Sequence, residues 1–249
     1  MTRNRWLTWL IFVLVAMVTM IDNFPAAWVA RWVAQWSGQR VVLAQSEGTL
    51  WQGSAALVLL HGNATGMWPD RVRWQLRLRP KGLEFSLESQ AQENPGRVTG
   101  WLGLGSLHLE AGNAVMPAQL LTGLGAPFNT LLLGGQLNWQ WTACDWRYRA
   151  TAPESLMTLT IRAEHLSSRL SPVSPLGDYQ LHLDWGPLGG KLDLQTLRGP
   201  LMLTGQGVVN KGRLSFDGEA TAEDAMIVQL TGLLSILGKR EGAVTRLHY

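Results

Sequence analysis

The segment Gly135-Gln136-Leu137-Asn138-Trp139-Gln140-Trp141 sets apolar side chains at odd positions and polar ones at even positions, and Tyr179-Gln180-Leu181-His182-Leu183-Asp184-Trp185 repeats the pattern. A strand turns successive side chains to opposite faces, so this alternation predicts antiparallel strands with one dry face and one wet face. The same period runs outward along the chain. Val72, Trp74, Leu76 and Leu78 alternate with Arg71, Arg73, Gln75, Arg77 and Arg79, and Leu214, Phe216, Gly218 and Ala220 alternate with Arg213, Ser215, Asp217 and Glu219. Glu47-Gly48, Pro80-Lys81-Gly82, Gly186-Pro187 and Lys211-Gly212 punctuate these runs as turns. No helical segment recurs between strands, which disfavours a parallel βαβ sheet and favours a meander.

The expected fold class is therefore mainly β: a single N-terminal transmembrane helix, then a predominantly antiparallel, curved sheet with a few short helices. Alternation leaves a closed barrel, a sandwich and an open curved sheet all available. Asn113 to Asn129 is a candidate divide between two sheet segments. Within it Pro117 to Gly123 reads as a short helix with proline at its first position. Near the end, Thr221-Ala222-Glu223-Asp224 has the form of a capping box. It precedes Ile227, Leu230, Leu234 and Leu237 on one helical face, a stop at Gly238, and a last strand over Val244 to Leu247.

At the other terminus, Arg3 and Arg5 precede an uncharged run from Trp6 to Ile21. Its 16 residues span about 24 Å as a helix, against a hydrocarbon core of about 30 Å, a deficit that thinning and interfacial flanks absorb. Trp6 and Trp9 at one end and Trp28 beyond the other are placed as an aromatic belt. Cleavage after Ala26, Ala27 or Ala30 would leave Phe24, Pro25 or Trp28 at the −3 position, so an uncleaved anchor is expected rather than a signal peptide. The positive-inside rule then sets the bulk of the chain outside the cytoplasm, which in a Gram-negative cell is the periplasm. Trp28, Trp32 and Trp36 share one face of a following helix, to lie along a bilayer surface or to cover a sheet edge. The organisation expected is a cytoplasmic tail and anchor over 1–22, a Trp-rich juxtamembrane helix over 23–37 and a periplasmic β-rich domain over 38–249.

Composition narrows the function classes. Lys and Arg total 21 against 18 Asp and Glu, a net charge of +3 with no run of like charge, so nucleic acid is not an expected partner. Cys144 is the single cysteine, which excludes an internal disulfide framework. No complete nucleophile-elbow, dinucleotide or zinc-protease motif is present. The nearest P-loop lookalike, Gly232 to Arg240, has one residue too many between its glycines and reads as a helix terminus. Asp178, Gln180, His182 and Asp184 share a strand face, but side chains two apart stand about 7 Å from each other, so a solvated face is expected rather than a metal site. Neither a cofactor nor a metal is expected.

The arginine row is the candidate docking feature. Arg71, Arg73, Arg77 and Arg79 line one face, and Glu84 and Glu88 on the next strand partly neutralise it across the Pro80-Lys81-Gly82 turn. The remaining positive charge suits an acidic partner or lipid headgroups.

Several stretches occur in an order that is specific as a set. They are the short anchor with Pro25-Ala26-Ala27-Trp28; Gly48-Thr49-Leu50-Trp51-Gln52-Gly53-Ser54-Ala55; Asn129-Thr130-Leu131 before Gly135-Gln136-Leu137; Leu170-Ser171-Pro172-Val173-Ser174-Pro175-Leu176-Gly177-Asp178-Tyr179; and Gly212 to Ala222 before Leu237-Gly238-Lys239-Arg240. In these the sequence resembles the type II secretion system protein N family, the general secretion pathway N component of Gram-negative bacteria. The resemblance implies a non-enzymatic component anchored in the cell inner membrane. It would support export of folded periplasmic proteins through contacts with inner-membrane platform subunits or the secretin. It carries no catalytic residues and no mapped contact. The alternative is a periplasmic lipid-binding or lipid-transfer protein with an apolar β-groove.

Overall fold

The computed structural model describes residues 3–62, 64–89, 96–125, 128–210, 213–242 and 244–248. Two helices open the chain, α1 (Arg3–Asp22) and α2 (Ala26–Trp36). A first group of strands follows: β1 (Val41–Gly48), β2 (Gln52–His61), β3 (Ala64–Arg79), β4 (Gly82–Ser89), β5 (Arg97–Leu102), β6 (Ser106–Leu109) and β7 (Gly112–Pro117). A 3-10 helix over Ala118–Leu124 and α3 (Phe128–Leu131) lead into β8 (Leu133–Trp141), β9 (Cys144–Arg147), β10 (Met157–Ser168), β11 (Gly177–Gly186), β12 (Gly189–Arg198), β13 (Leu201–Asn210) and β14 (Arg213–Ala222). The chain closes with a 3-10 turn over Asp224–Met226, α4 (Ile227–Leu237), β15 (Lys239–Glu241) and β16 (Val244–His248). The turn signal at Lys211-Gly212 lies outside the described residues.

Among the described residues the strands form one sheet, in the order β1-β2-β3-β4-β5-β7-β8-β10-β11-β12-β13-β14-β16-β15, with β6 and β9 branching from β5. β1 and β15 end the path without pairing with each other, so the sheet is open and curved. The Asn113–Asn129 region does not divide it. β7 pairs along its whole length with β8 and is joined to β5 through Arg97 and Asn113, a narrow but continuous seam.

The alternation works as the dry and wet faces require. Leu181 stands opposite Ile161 on β10 and Leu194 on β12, and Leu183 opposite Leu159 and Leu192, so apolar side chains stack across three strands on one face. On the other face Thr158 donates to Asp184 at 2.7 Å, Thr160 lies 3.1 Å from His182 Nδ1, and Arg162 donates to Gln180 at 3.1 Å.

The main core lies at one end of the sheet, where Leu133, Leu137, Leu176, Leu201, Ala222 and Leu247 meet Leu230, Leu233 and Leu234 of α4. Leucines three and four apart give α4 one apolar face, and that face is buried. The capping box expected at Thr221 does not form. Thr221 is paired with Met202 inside β14 and is therefore extended, so the chain turns at Glu223, whose side chain makes no cap bond. Gly238 ends α4 in an extended rather than left-handed conformation, with an added Cβ running into the Arg246 carbonyl. Pro117 likewise caps a 3-10 helix rather than occupying the first position of an α-helix. A second, smaller core sets Ala26 and Val29 of α2 against Leu43, Ala55, Trp74 and Leu76.

Candidate functional site

The junction between the N-terminal helices and the sheet is built by the loop that joins β1 to β2. Gly48, at φ +93, lets the strand turn, and Thr49 closes the loop by donating its N–H to Gln52 at 2.7 Å. The loop then reaches back to the helices. Thr49 forms a β-bridge with Pro25, the Leu50 N–H donates to the Phe24 carbonyl at 2.7 Å, and the Trp51 indole N–H donates to the Ile21 carbonyl at 2.9 Å. From below, Trp74 of β3 donates its indole N–H to Leu50 at 3.1 Å and packs its ring over Gly53. Ile21 lies in the last turn of α1 and Phe24 between the two helices, so this clasp adds donors to acceptors at the helix end while fixing where the helices leave the sheet. Trp51 and Trp74 were not singled out as functional residues from sequence. The available signal was the Gly48-to-Gly53 stretch itself, with a tryptophan bracketed by two glycines.

α2 packs with its small residues inward. Ala26 is buried and Val29 half-buried against the sheet, whereas Trp28, Trp32 and Trp36 are 43%, 53% and 96% exposed. At 100° per residue, positions 26, 29 and 33 share one face and 28, 32 and 36 another, and only the smaller side chains let the helix approach β1 closely. The tryptophans therefore do not cover the sheet edge. Phe24 lies against Trp28 and Trp32, with ring centroids 5.5 Å and 6.4 Å away, and the Arg31 guanidinium sits 5.4 Å above Trp28. In α1, Trp6, Trp9 and every side chain from Leu10 to Asp22 are exposed. Among the described residues no helix is long and apolar enough to cross a membrane.

The arginine row lies on the wet face of β3, but its members differ. Arg71 is held by a salt bridge to Glu47 at 3.3 Å, by Ser54 and by the Gln45 carbonyl at 2.8 Å, across a bulge in β1. Arg79 pairs with Glu84 at 2.8 Å, and that guanidinium holds the Glu84 carboxyl below its ordinary range. Glu88 stands opposite Arg73 in register yet turns to Arg97 of β5 at 2.9 Å. Arg77 stands opposite Glu84 in register and its charge adds to the lowering of that carboxyl, but its side chain forms no salt bridge and hydrogen-bonds only to the Gln75 amide oxygen at 3.4 Å, and the Arg73 side chain has no ionic or hydrogen-bonding partner among the described residues. The charge left over is thus concentrated on Arg73 and Arg77.

The β11 polar face is divided in the same way. Asp178 is not solvated: it is buried, accepts the His165 N–H at 2.7 Å and pairs with Arg198. Burial pushes its pKa upward, but the His165 N–H and the Arg198 guanidinium outweigh that and hold the carboxyl below the usual carboxylate range. Gln180, His182 and Asp184 are spent on cross-strand partners, and no group of three potential metal ligands occurs among the described residues.

The family model for type II secretion system protein N matches residues 39–247, from just before β1 to the last strand. This chain belongs to the type II secretion system protein N family. No curated protein and no solved structure matches it. The family match covers the sheet and α4 and begins after α2, so the protein N family region is the β-rich body, with the clasp at its N-terminal margin. Two of the stretches that carried the resemblance have clear structural roles. The Gly48 segment forms the clasp, and the Leu170-to-Tyr179 segment brings Leu176 into the core and directs the Tyr179 hydroxyl to the buried Leu201 carbonyl at 2.9 Å.

Proposed function

We propose that this chain is a non-enzymatic, inner-membrane-anchored component of the type II secretion system. Its periplasmic sheet would meet platform subunits or the secretin and so support export of folded proteins. The match to the protein N family over 39–247 carries this reading. α1 seats in the bilayer along Trp6 to Ile21, a span short of a full hydrocarbon core, with Trp6 and Trp9 at one surface and Trp28, Trp32 and Trp36 at the other. An apolar helix whose described side chains are all exposed supports that placement, because an apolar surface of this size on a monomer marks an interaction site. The clasp then transmits the position of the anchor to the sheet.

The docking face is centred on Arg73 and Arg77, the two members of the row that form no salt bridge among the described residues, and it suits an acidic surface on a partner subunit. Photoreactive residues at positions 73 and 77 of the full chain in secreting cells test this. Crosslinks to a platform subunit or to the secretin are expected from at least one position. Crosslinks to no secretion subunit from either position, with export intact, overturn it.

A further inference from the structure

The two ends of the sheet differ. At one end α3, α4 and the 3-10 helix over Ala118–Leu124 cover the core. At the other end, beside the α1–α2 clasp, the described connections between strands carry no helix, and each touches a neighbouring strand end or connection. Trp51 accepts the Leu76 N–H at 2.7 Å on the strand that leads to the Pro80-Lys81 turn. An added Cβ at Gly103 would stand 3.9 Å from the Lys81 carbonyl. Tyr148 donates its hydroxyl to Gly103 at 2.9 Å and its N–H to Gly105 at 3.0 Å. Trp146 meets Trp185 with ring centroids 4.9 Å apart, and Leu156 lies 3.5 Å from the Cβ position of Gly186, at the Pro187-Leu188 turn. The turns thus form a continuous rim that starts at the anchor junction.

Two leucines stand at the tips of this rim without contact to the body: Leu104, between Gly103 and Gly105, is 108% exposed, and Leu188, after Pro187, is 102% exposed. Turn tips ordinarily carry Gly, Pro, Asn, Asp or Ser, and nothing in the fold calls for a leucine at either place. Lys81 and Arg149 flank the Leu104 turn, the first through its carbonyl near Gly103 and the second next to Tyr148, neither in a salt bridge among the described residues, with Lys81 5.9 Å from the Trp101 ring and Tyr148 half exposed. Exposed leucines flanked by cations and amphipathic aromatics are the composition of a surface that rests in a bilayer interface.

We propose that this rim is a second membrane contact, lying on the anionic leaflet that α1 enters. Leu104 and Leu188 reach the acyl boundary and Lys81 and Arg149 meet headgroup phosphates. The inference rests on the anchor reading above. It fixes the orientation of the sheet: the α4 end points away from the bilayer, and the arginine row of β3 runs down toward it.

The test uses the full chain with Cys144→Ala and one new cysteine, Leu104→Cys, Leu188→Cys or Val228→Cys, labelled with a polarity-sensitive fluorophore. Val228, 87% exposed on α4, is the control at the opposite end. The chain is reconstituted in phosphatidylethanolamine–phosphatidylglycerol vesicles carrying nitroxide on the acyl chain. The labels at 104 and 188 are expected to shift to the blue and lose most of their emission, while the label at 228 does neither. Labels at 104 and 188 that stay in water on a chain resistant to carbonate extraction overturn the rim contact and leave the anchor standing. Quenched rim labels on a carbonate-extractable chain keep the rim contact and overturn the anchor. A chain that does not float with vesicles overturns both.

Discussion

The indole N–H of Trp51 is bonded to the carbonyl of Ile21, 30 positions earlier in the chain, across the boundary between the N-terminal helices and the sheet. Trp51→Phe keeps an aromatic ring and removes the donor, leaving the Ile21 carbonyl with only the longer bond from the Phe24 N–H at 3.3 Å. A loss of about 0.5–1.5 kcal/mol is expected, confined to the clasp. Hydrogen exchange reads it directly: the Leu50 amide, bonded to Phe24 at 2.7 Å, should exchange faster, while amides of β12 and β13 should not change. Equal acceleration throughout would mean that the bond supports the whole fold rather than the junction.

Gly53 lies beneath Trp74, and an added Cβ would stand 2.6 Å from Cε2 of that ring. Gly53→Ala must push the indole off the clasp and should cost about 1–3 kcal/mol in denaturant unfolding. Trp74→Leu in the same chain should recover part of that loss, because the two changes act on one contact. A double variant whose cost equals the sum of the singles would rule out the clash as the cause.

Asp178 makes the acid limb of stability predictable in sign. Its folded pKa lies below the ordinary value of 3.8, so its contribution is present above that value and is lost as pH falls through the folded pKa. Asp178→Asn should be less stable than the parent at neutral pH by roughly 1–3 kcal/mol, and the difference should shrink on acidification. Urea titrations between neutral and strongly acid pH measure both. A constant difference across the range would show that the charge is not what stabilises the His165 bulge and Arg198.

Cys144 is buried, and burial first, then the neighbouring Asp145 carboxylate, pushes its thiol upward. With the thiolate scarce and access blocked, reaction with an aromatic disulfide at neutral pH should be far slower in the folded chain than in denaturant. Fast labelling of the folded chain would mean that β9 detaches readily from β6.

Strand period, turn positions and the lone cysteine were open to reading because they depend on neighbours in sequence. A two-residue alternation dictates which side chains share a face whatever the sheet does next. The face of α2 that carries Trp28, Trp32 and Trp36 was legible for the same reason. Which face would pack was not, since that depends on how closely a helix can approach β1, and Ala26 and Val29 permit a closer approach than an indole. The arginine row shows the same limit. That four arginines share a face follows from parity, but that Glu88 turns to Arg97 depends on a strand brought alongside by the fold.

Sequence alone therefore determined the β class, the N-terminal helices, the face of each residue within a regular run of strand and the family resemblance that the match over 39–247 bore out. Only the tertiary structure decided that the sheet stays open, that Gly48 to Gly53 clasps the helices, and that charge survives chiefly at Arg73 and Arg77. The physical reason is range. Periodicity and turn chemistry act over a few residues, whereas closure, clasping and charge pairing are set by contacts between segments distant in sequence, whose partners are chosen by packing.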